Sequence, residues 1–157
     1  MAYVYMYMKF IKFCPDQVSD FNCLYFSIFS HVPKDGKNGL FGGNAIWYGI
    51  ELKEPEELEE PKELKDRKII AFCTVGIIAP EKVFLYNVGV DPLYREKGLG
   101  QYLLNRIVSL YQESTILLFV NKTNHKAICL YQKCHFCLTT NAYIPPEGDI
   151  CMERSKT

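Results

Sequence analysis

Several things are missing from this sequence, and each absence removes a class of function. There is no charge bias: 18 lysines and arginines balance 18 aspartates and glutamates, for a formal net charge of zero. A domain that grips nucleic acid by its phosphates carries a basic excess, so no nucleic-acid partner is expected. No apolar run approaches the ~18 residues that would span a bilayer, and no membrane role is expected. The opening stretch MAYVYMYMKFIKF has neither a basic region ahead of its apolar part nor a small-residue cleavage site, so it does not read as a signal peptide. The pattern GxxxxGK followed by Ser or Thr is absent, and Gly98 and Gly100 are followed by Leu103 rather than a third glycine. A triphosphate-binding P-loop and a dinucleotide fingerprint are thereby both unsupported. The seven cysteines, spread from Cys14 to Cys151, are an odd number. They read as reduced thiols in a cytosol-like compartment, cytoplasmic or also nuclear.

What is present is ordinary globular chemistry. Of the 157 residues, 48% are hydrophobic and 23% charged, enough for one domain with a substantial core. Tyr3 to Phe13 reads as a strand, followed by a helix from Pro15 to near His31 with Val18, Phe21, Leu24, Tyr25 and Ile28 on its inner face. Strands are expected at Ala45–Leu52, Lys68–Ile78, Lys82–Val90 and Thr115–Asn121. Ala79-Pro80 forms the turn between the second and third of these. Helices are expected over QYLLNRIVSLYQE, where Leu103, Ile107 and Leu110 continue the helical spacing from Leu99, and from Asn124 to Lys133. Phe136–Tyr143 and Asp149–Arg154 should close the chain as a hairpin around Pro145, Pro146 and Gly148. The order is that of an α/β (α+β) domain built on one mixed sheet. Lys53 to Asp66 holds seven acids against three lysines and reads as a solvated loop.

One stretch asks for an explanation. DPLYREKGLGQ, Asp91 to Gln101, puts a proline, two glycines and two basic residues directly between a strand and a helix. Glycines there let the backbone come close to a ligand, and the helix start supplies unpaired N–H donors and a positive dipole. A pyrophosphate suits that geometry, and so does a tight turn with no ligand at all.

The wider context separates the two. LYNVGVDPLYREKGLGQYLL, followed by LLFVNKTNHKAICLYQKCHF, resembles motifs A and B of the GNAT family of N-acetyltransferases, over Val83 to Phe136. The motif pattern is nearest to members that acetylate protein N-termini. The resemblance implies a single GNAT-type domain over 1–157. Its parts would be an acceptor-side half at 1–81, acetyl-CoA motifs at 82–136 and a C-terminal hairpin at 137–157. It implies a mostly antiparallel sheet, flanked by helices, in which parallel strands four and five splay apart to admit acetyl-CoA. Backbone groups of Val88, Gly89 and Val90 would then bind the pantetheine arm. The amides of Arg95, Glu96, Lys97, Gly98, Leu99, Gly100 and Gln101 would hold the pyrophosphate. Asn124 matches the asparagine that hydrogen-bonds the cofactor arm, and Tyr131 the tyrosine that protonates the departing thiolate. The Val88 N–H is the natural oxyanion donor. Tyr86, Asn87, Phe119 and Tyr143 would line the acceptor site. The implied reaction is direct attack by a primary amine on the thioester. The acceptor would be a protein N-terminus or lysine, or alternatively a polyamine, and the enzyme a monomer or homodimer.

The sequence departs from the family in two places. Phe84 and Phe119 occupy the positions where members carry a general base, which leaves Glu51, Tyr86, water held by Asn87, or no protein base at all. Glu51 is expected at an exposed strand end. A non-catalytic acyl-CoA-binding module is the alternative that these phenylalanines favour. The second departure is His135, where the family has a glycine suited to a left-handed backbone. His125, Cys129, Cys134 and Cys137 have ligand-like spacing for zinc, but three of them fall in the cofactor-binding helix and there is no second C-x-x-C. No metal is expected.

Overall fold

The computed structural model of the chain describes residues 8–14, 18, 21–29, 45–53, 68–140 and 143–157. In chain order these form β1 (Met8–Phe13), α1 (Phe21–Phe29), β2 (Ala45–Leu52), β3 (Lys68–Ala79) and β4 (Lys82–Val90). A single 3₁₀ turn at Pro92–Tyr94 then leads to α2 (Leu99–Leu110), β5 (Thr115–Asn121), α3 (His125–Lys133), β6 (Cys137–Leu138) and β7 (Asp149–Arg154). All the strands share one sheet, in the order β1-β2-β3-β4-β5-β7-β6. β4 and β5 run parallel and the other neighbours antiparallel, which is the mixed sheet expected. A parallel pair needs a long crossover, and α2 supplies it. Among the described residues no helix is long and apolar enough to cross a membrane.

Two cores lie on opposite faces of the sheet. On one, Leu99, Leu103, Leu104 and Ile107 of α2 recur at three- to four-residue steps and are all buried. They meet Cys73 and Val75 of β3, Val83 and Leu85 of β4, and Ile116, Leu118 and Val120 of β5, together with Tyr131 and Phe136. Removing a side chain of that size from water is worth about 1.5–3 kcal/mol, which explains why this stripe holds the crossover in place. On the other face α1 lays Phe21 and Tyr25 against Trp47 and Phe72. The Phe21 and Phe72 rings pack edge to face at 4.9 Å.

Some boundaries differ from those the periodicity predicts. Leu110 is 53% exposed, because α2 ends there and Tyr111, its C-cap, turns onto the core instead. Val18 is buried but lies ahead of α1 rather than in it. β3 runs on through Ala79, so the turn falls at Pro80 and Glu81. Among the described residues the strand expected from Phe136 to Tyr143 is β6 alone, with Thr139 still donating to the Cys151 carbonyl beyond it. The remainder of the first strand, the ends of the first helix and most of the acidic Lys53–Asp66 run lie outside the described residues.

Candidate active site

The parallel ladder between β4 and β5 runs from Lys82–Thr115 to Leu85–Leu118 and stops. Beyond it Phe119, Val120 and Asn121 pair only with Cys151, Ile150 and Asp149 of β7. Tyr86, Gly89 and Val90 pair only with Thr74, Phe72 and Ala71 of β3. The facing edges of β4 and β5 therefore part after Leu85 and Leu118, as a splayed pair must.

At the same level β4 carries a bulge. Thr74 faces Tyr86 and Phe72 faces Gly89, so Asn87 and Val88 together stand opposite Cys73. Asn87 takes the extra turn at φ 53°, a left-handed conformation that asparagine tolerates better than most residues. One inserted residue reverses which face each later side chain points to. Before the bulge Val83 and Leu85 face the helices, while Phe84 and Tyr86 face away. After it Val88 and Val90 return to the helix face. Gly89 then faces α1, where a Cβ would stand 3.0 Å from Ile28 Cδ1. The Asn87 side chain is held from both sides: the Tyr25 hydroxyl donates to its Oδ1 at 3.2 Å, and its Nδ2 donates to Thr74 Oγ1 at 3.4 Å. Neither Tyr25 nor Thr74 is legible as a site residue in the sequence. The bulge itself leaves a trace, because the helix-facing apolar positions step from 83 and 85 to 88 and 90.

β4 leads directly into the glycine loop. Glu96 and Gly98 have φ values of 60° and 79°, so left-handed residues flank Lys97 before α2 begins. No side chain caps α2. The first-turn amides of Leu99, Gly100 and Gln101 therefore keep their donors, at the positive end of the helix dipole. Arg95 Nε donates to the Val90 carbonyl at 3.1 Å and Lys97 Nζ to the Leu93 carbonyl at 3.3 Å. Both cations thus stay beside the loop, while Glu96 meets Lys126 at 3.5 Å in solvent. Gly100 has a packing reason of its own, since a Cβ there would lie 3.0 Å from Leu130 Cδ2 of α3. The Asp91 amide bonds the Ile70 carbonyl, and the Leu93 and Tyr94 amides are bonded within the turn. The open donors are therefore those at the start of α2, and with the parted strand edge they fit a phosphate-bearing, strand-like ligand.

Asn124 is the N-cap of α3, its Oδ1 accepting from the Ala127 amide at 3.2 Å, which leaves Nδ2 as a donor. Tyr131 is buried on the helix face of the sheet. Burial first, and then the nearby Cys73 and Cys134 thiols, push its hydroxyl well above its usual range. Cys73 is the β3 residue facing the bulge, so Tyr131 and Val88 share one side of the sheet.

On the opposite face Phe84, Tyr86 and Phe119 gather over Leu117 and Cys151. Phe84 packs against Phe119 at 4.8 Å and against Tyr86 at 5.2 Å. Burial pushes up both titratable groups of this cluster, the Tyr86 hydroxyl and the Cys151 thiol. Tyr143 is exposed on the segment between β6 and β7. Glu51 is not at an exposed strand end: it is 7% exposed, paired in register with Ile69. The bulge level of β4 aligns through Cys73 with Tyr48, so Glu51 lies two strands over and three residues further along. That is roughly 10 Å in each direction, beyond direct reach of Val88. All seven cysteines are free thiols. Among the described residues no three His, Cys, Asp or Glu side chains come together as a metal site.

A parted parallel pair, a bulge at its mouth and an amide-lined loop define an acyl-carrier-binding transferase fold. Residues 47–136 match the sequence profile of the acetyltransferase (GNAT) family. The chain belongs to that family. A stretch of 72 residues, 44% of the chain, is 33% identical to ribosomal protein bS18-alanine N-acetyltransferase of Escherichia coli K12. That match spans about half (48%) of the relative's length. The fold is shared with the crystal structure of the ribosomal-protein-S18-alanine N-acetyltransferase from Escherichia coli, at a TM-score of 0.66 and 20% identity over 94% of this chain and 93% of that one. It is shared as well with Arabidopsis thaliana NAA60 in complex with acetyl-CoA, at a TM-score of 0.65 and 16% identity over 94% and 98%.

Proposed function

We propose that this chain is an acetyl-CoA-dependent N-acetyltransferase that acetylates a protein α-amino group. The observation that carries this reading is the continuity of the β4 bulge, the parted strands and the uncapped start of α2 within the segment that matches the family. A relative named for the alanine of a ribosomal protein supports the α-amino acceptor. A lysine side chain or a polyamine is the competing acceptor. Bacterial relatives support a cytoplasmic setting, and nothing in them supports a nuclear one. The enzyme would work as a monomer or homodimer.

In this reading acetyl-CoA supplies the acetyl thioester. Val88, Gly89 and Val90 offer backbone groups to its pantetheine arm, with Nδ2 of Asn124 as a further donor. The amides from Arg95 to Gln101 take the pyrophosphate. The neutral amine, oriented among Tyr86, Asn87, Phe119 and Tyr143, attacks the carbonyl carbon. The N–C bond forms, the Val88 N–H donates to the oxygen on which charge gathers, and the C–S bond breaks. Tyr131 gives its proton to the leaving sulfur and recovers one from solvent, while the amine loses its proton to water. Glu51 takes part only through intervening groups.

A module that binds acyl-CoA without turnover is the second reading, favoured by the apolar Phe84–Phe119 contact at the gap. The test is CoA release across peptide N-termini, lysine peptides and polyamines, with acetyl-CoA binding measured by calorimetry. Release with peptide N-termini is the expected result. Release with polyamines alone, falling steeply with salt, overturns the acceptor assignment. Binding without release across the panel favours the module.

A further inference from the structure

We propose that Asn87 is a positioning residue, whose side chain locks the β4 bulge and so aims the Val88 amide into the gap. The inference rests on the transferase reading above, but the observations behind it stand on their own. Asn87 pays a backbone cost at φ 53° that a residue in a regular strand avoids. Its amide is fixed between two separate elements, α1 and β3. Tyr25 reaches it from α1, and Thr74 meets it from the neighbouring strand. Both partners are themselves immobilised, Tyr25 by Phe72 and Trp47 and Thr74 by complete burial. Val88 is the next residue along the chain. Any rotation of the Asn87–Val88 peptide therefore moves the Val88 N–H directly, and the three-residue tie resists that rotation. Without the tie, the alternative for this stretch is a regular ladder. That would turn Val88 to the Phe84–Tyr86 face and take its amide out of line.

This arrangement also joins the acceptor side to the reacting side. α1 packs on Gly89 through Ile28 and bonds Asn87 through Tyr25, so a shift of α1 is transmitted to the bulge at the two residues that flank Val88.

The test uses the full chain and the variants Asn87→Gly, Tyr25→Phe and the double variant. Glycine keeps the positive φ while deleting the amide, and phenylalanine keeps the ring packing while deleting the hydroxyl. Asn87→Gly is expected to lower kcat about ten- to a hundredfold, the range for a misaligned oxyanion donor, with acetyl-CoA affinity falling by a much smaller factor because the pyrophosphate loop and Asn124 are untouched. Tyr25→Phe should lower kcat by a smaller factor, and the double variant should add little to Asn87→Gly, since both cut one network. Wild-type kcat in Asn87→Gly, or a parallel loss of kcat and acetyl-CoA affinity, overturns the proposal. The amide resonances of Val88 and Gly89 provide a readout independent of turnover. If the wild type releases no CoA with any amine, the transferase reading fails. The positioning claim is then decided by those resonances in Tyr25→Phe, whose lost hydroxyl is 62 residues away and reaches Val88 only through Asn87: it requires that they move, and it falls if they do not.

Discussion

The Phe136 amide donates to the Tyr131 carbonyl at 3.0 Å, and the two rings lie edge to face at 5.8 Å. With His135 donating to Gln132 at 3.0 Å and turning left-handed at φ 66°, this is a Schellman closure of α3. Its hydrophobic contact is the one between Tyr131 and Phe136. The tyrosine assigned to the leaving group is thus seated by the end of its own helix as well as by the core around it.

Tyr131→Phe keeps that ring contact and removes only the hydroxyl. The expected outcome is a fall in kcat of about a hundredfold, typical of a lost general acid, with CoA affinity unchanged by calorimetry. A variant with wild-type kcat would assign the proton to another donor. A variant that also loses CoA affinity would make Tyr131 a packing residue first.

The aromatic contact of Phe84 with Phe119 predicts the pH dependence. The titratable groups in that cluster, Tyr86 and Cys151, are both shifted upward by burial and so stay protonated near neutral pH. Neither accepts a proton there. kcat/KM should therefore rise with pH as the acceptor amine itself deprotonates. The rise should move from near pH 8 for a peptide α-amine toward pH 10 for a lysine side chain, following their ordinary pKa values of about 8 and about 10.4. A rising limb between pH 5 and 7 that stays put when the acceptor changes would reveal an enzyme base.

Much of this was legible in the sequence because it depends on local pattern. The strand–loop–helix at Lys82–Leu110 follows from alternation, two glycines and a 3.6-residue stripe, and those residues form the elements expected. The roles proposed for Tyr131 and Asn124 rest instead on the family resemblance. What was not legible depends on contacts between distant segments. The hydroxyl of Tyr25 and the amide of Asn87 are 62 residues apart, and only the packed sheet brings them together. Glu51 shows the limit from the other side: its place near a strand end suggested exposure, while pairing with β3 and β1 buries it.

Buried hydroxyls also predict how stability responds to alkali. Burial raises the Tyr86, Tyr111 and Tyr131 hydroxyls above their ordinary value of 10.0, with the Tyr48 hydrogen bond at 2.9 Å adding to the shift of Tyr111. Cys73 is raised in the same way from 9.0. A raised native pKa means that the unfolded chain releases these protons first as pH climbs. Their stabilising contribution is complete below pH 9 and is lost progressively above it. The melting temperature should be level from pH 7 to about 9 and fall between about 9 and 11. Tyr111→Phe should make that fall shallower, as read by circular dichroism, and an unchanged slope would place the loss elsewhere.

His135 offers a test in the stabilising direction. Its φ of 66° is the conformation in which a side chain costs energy and glycine does not. The side chain is exposed and makes no hydrogen bond among the described residues, so little is lost by removing it. Against the strain relieved, about 1–2 kcal/mol, stands the greater freedom of glycine in the unfolded chain, about 0.5–1 kcal/mol. The difference favours His135→Gly by about 0.5 kcal/mol, or about 1–2 °C in melting temperature for a chain of this size. Turnover should be unchanged, because the hydrogen bonds that close α3 come from the backbone and the Tyr131–Phe136 contact is untouched. A lower melting temperature would mean that the His135 side chain stabilises the turn by more than the strain it carries.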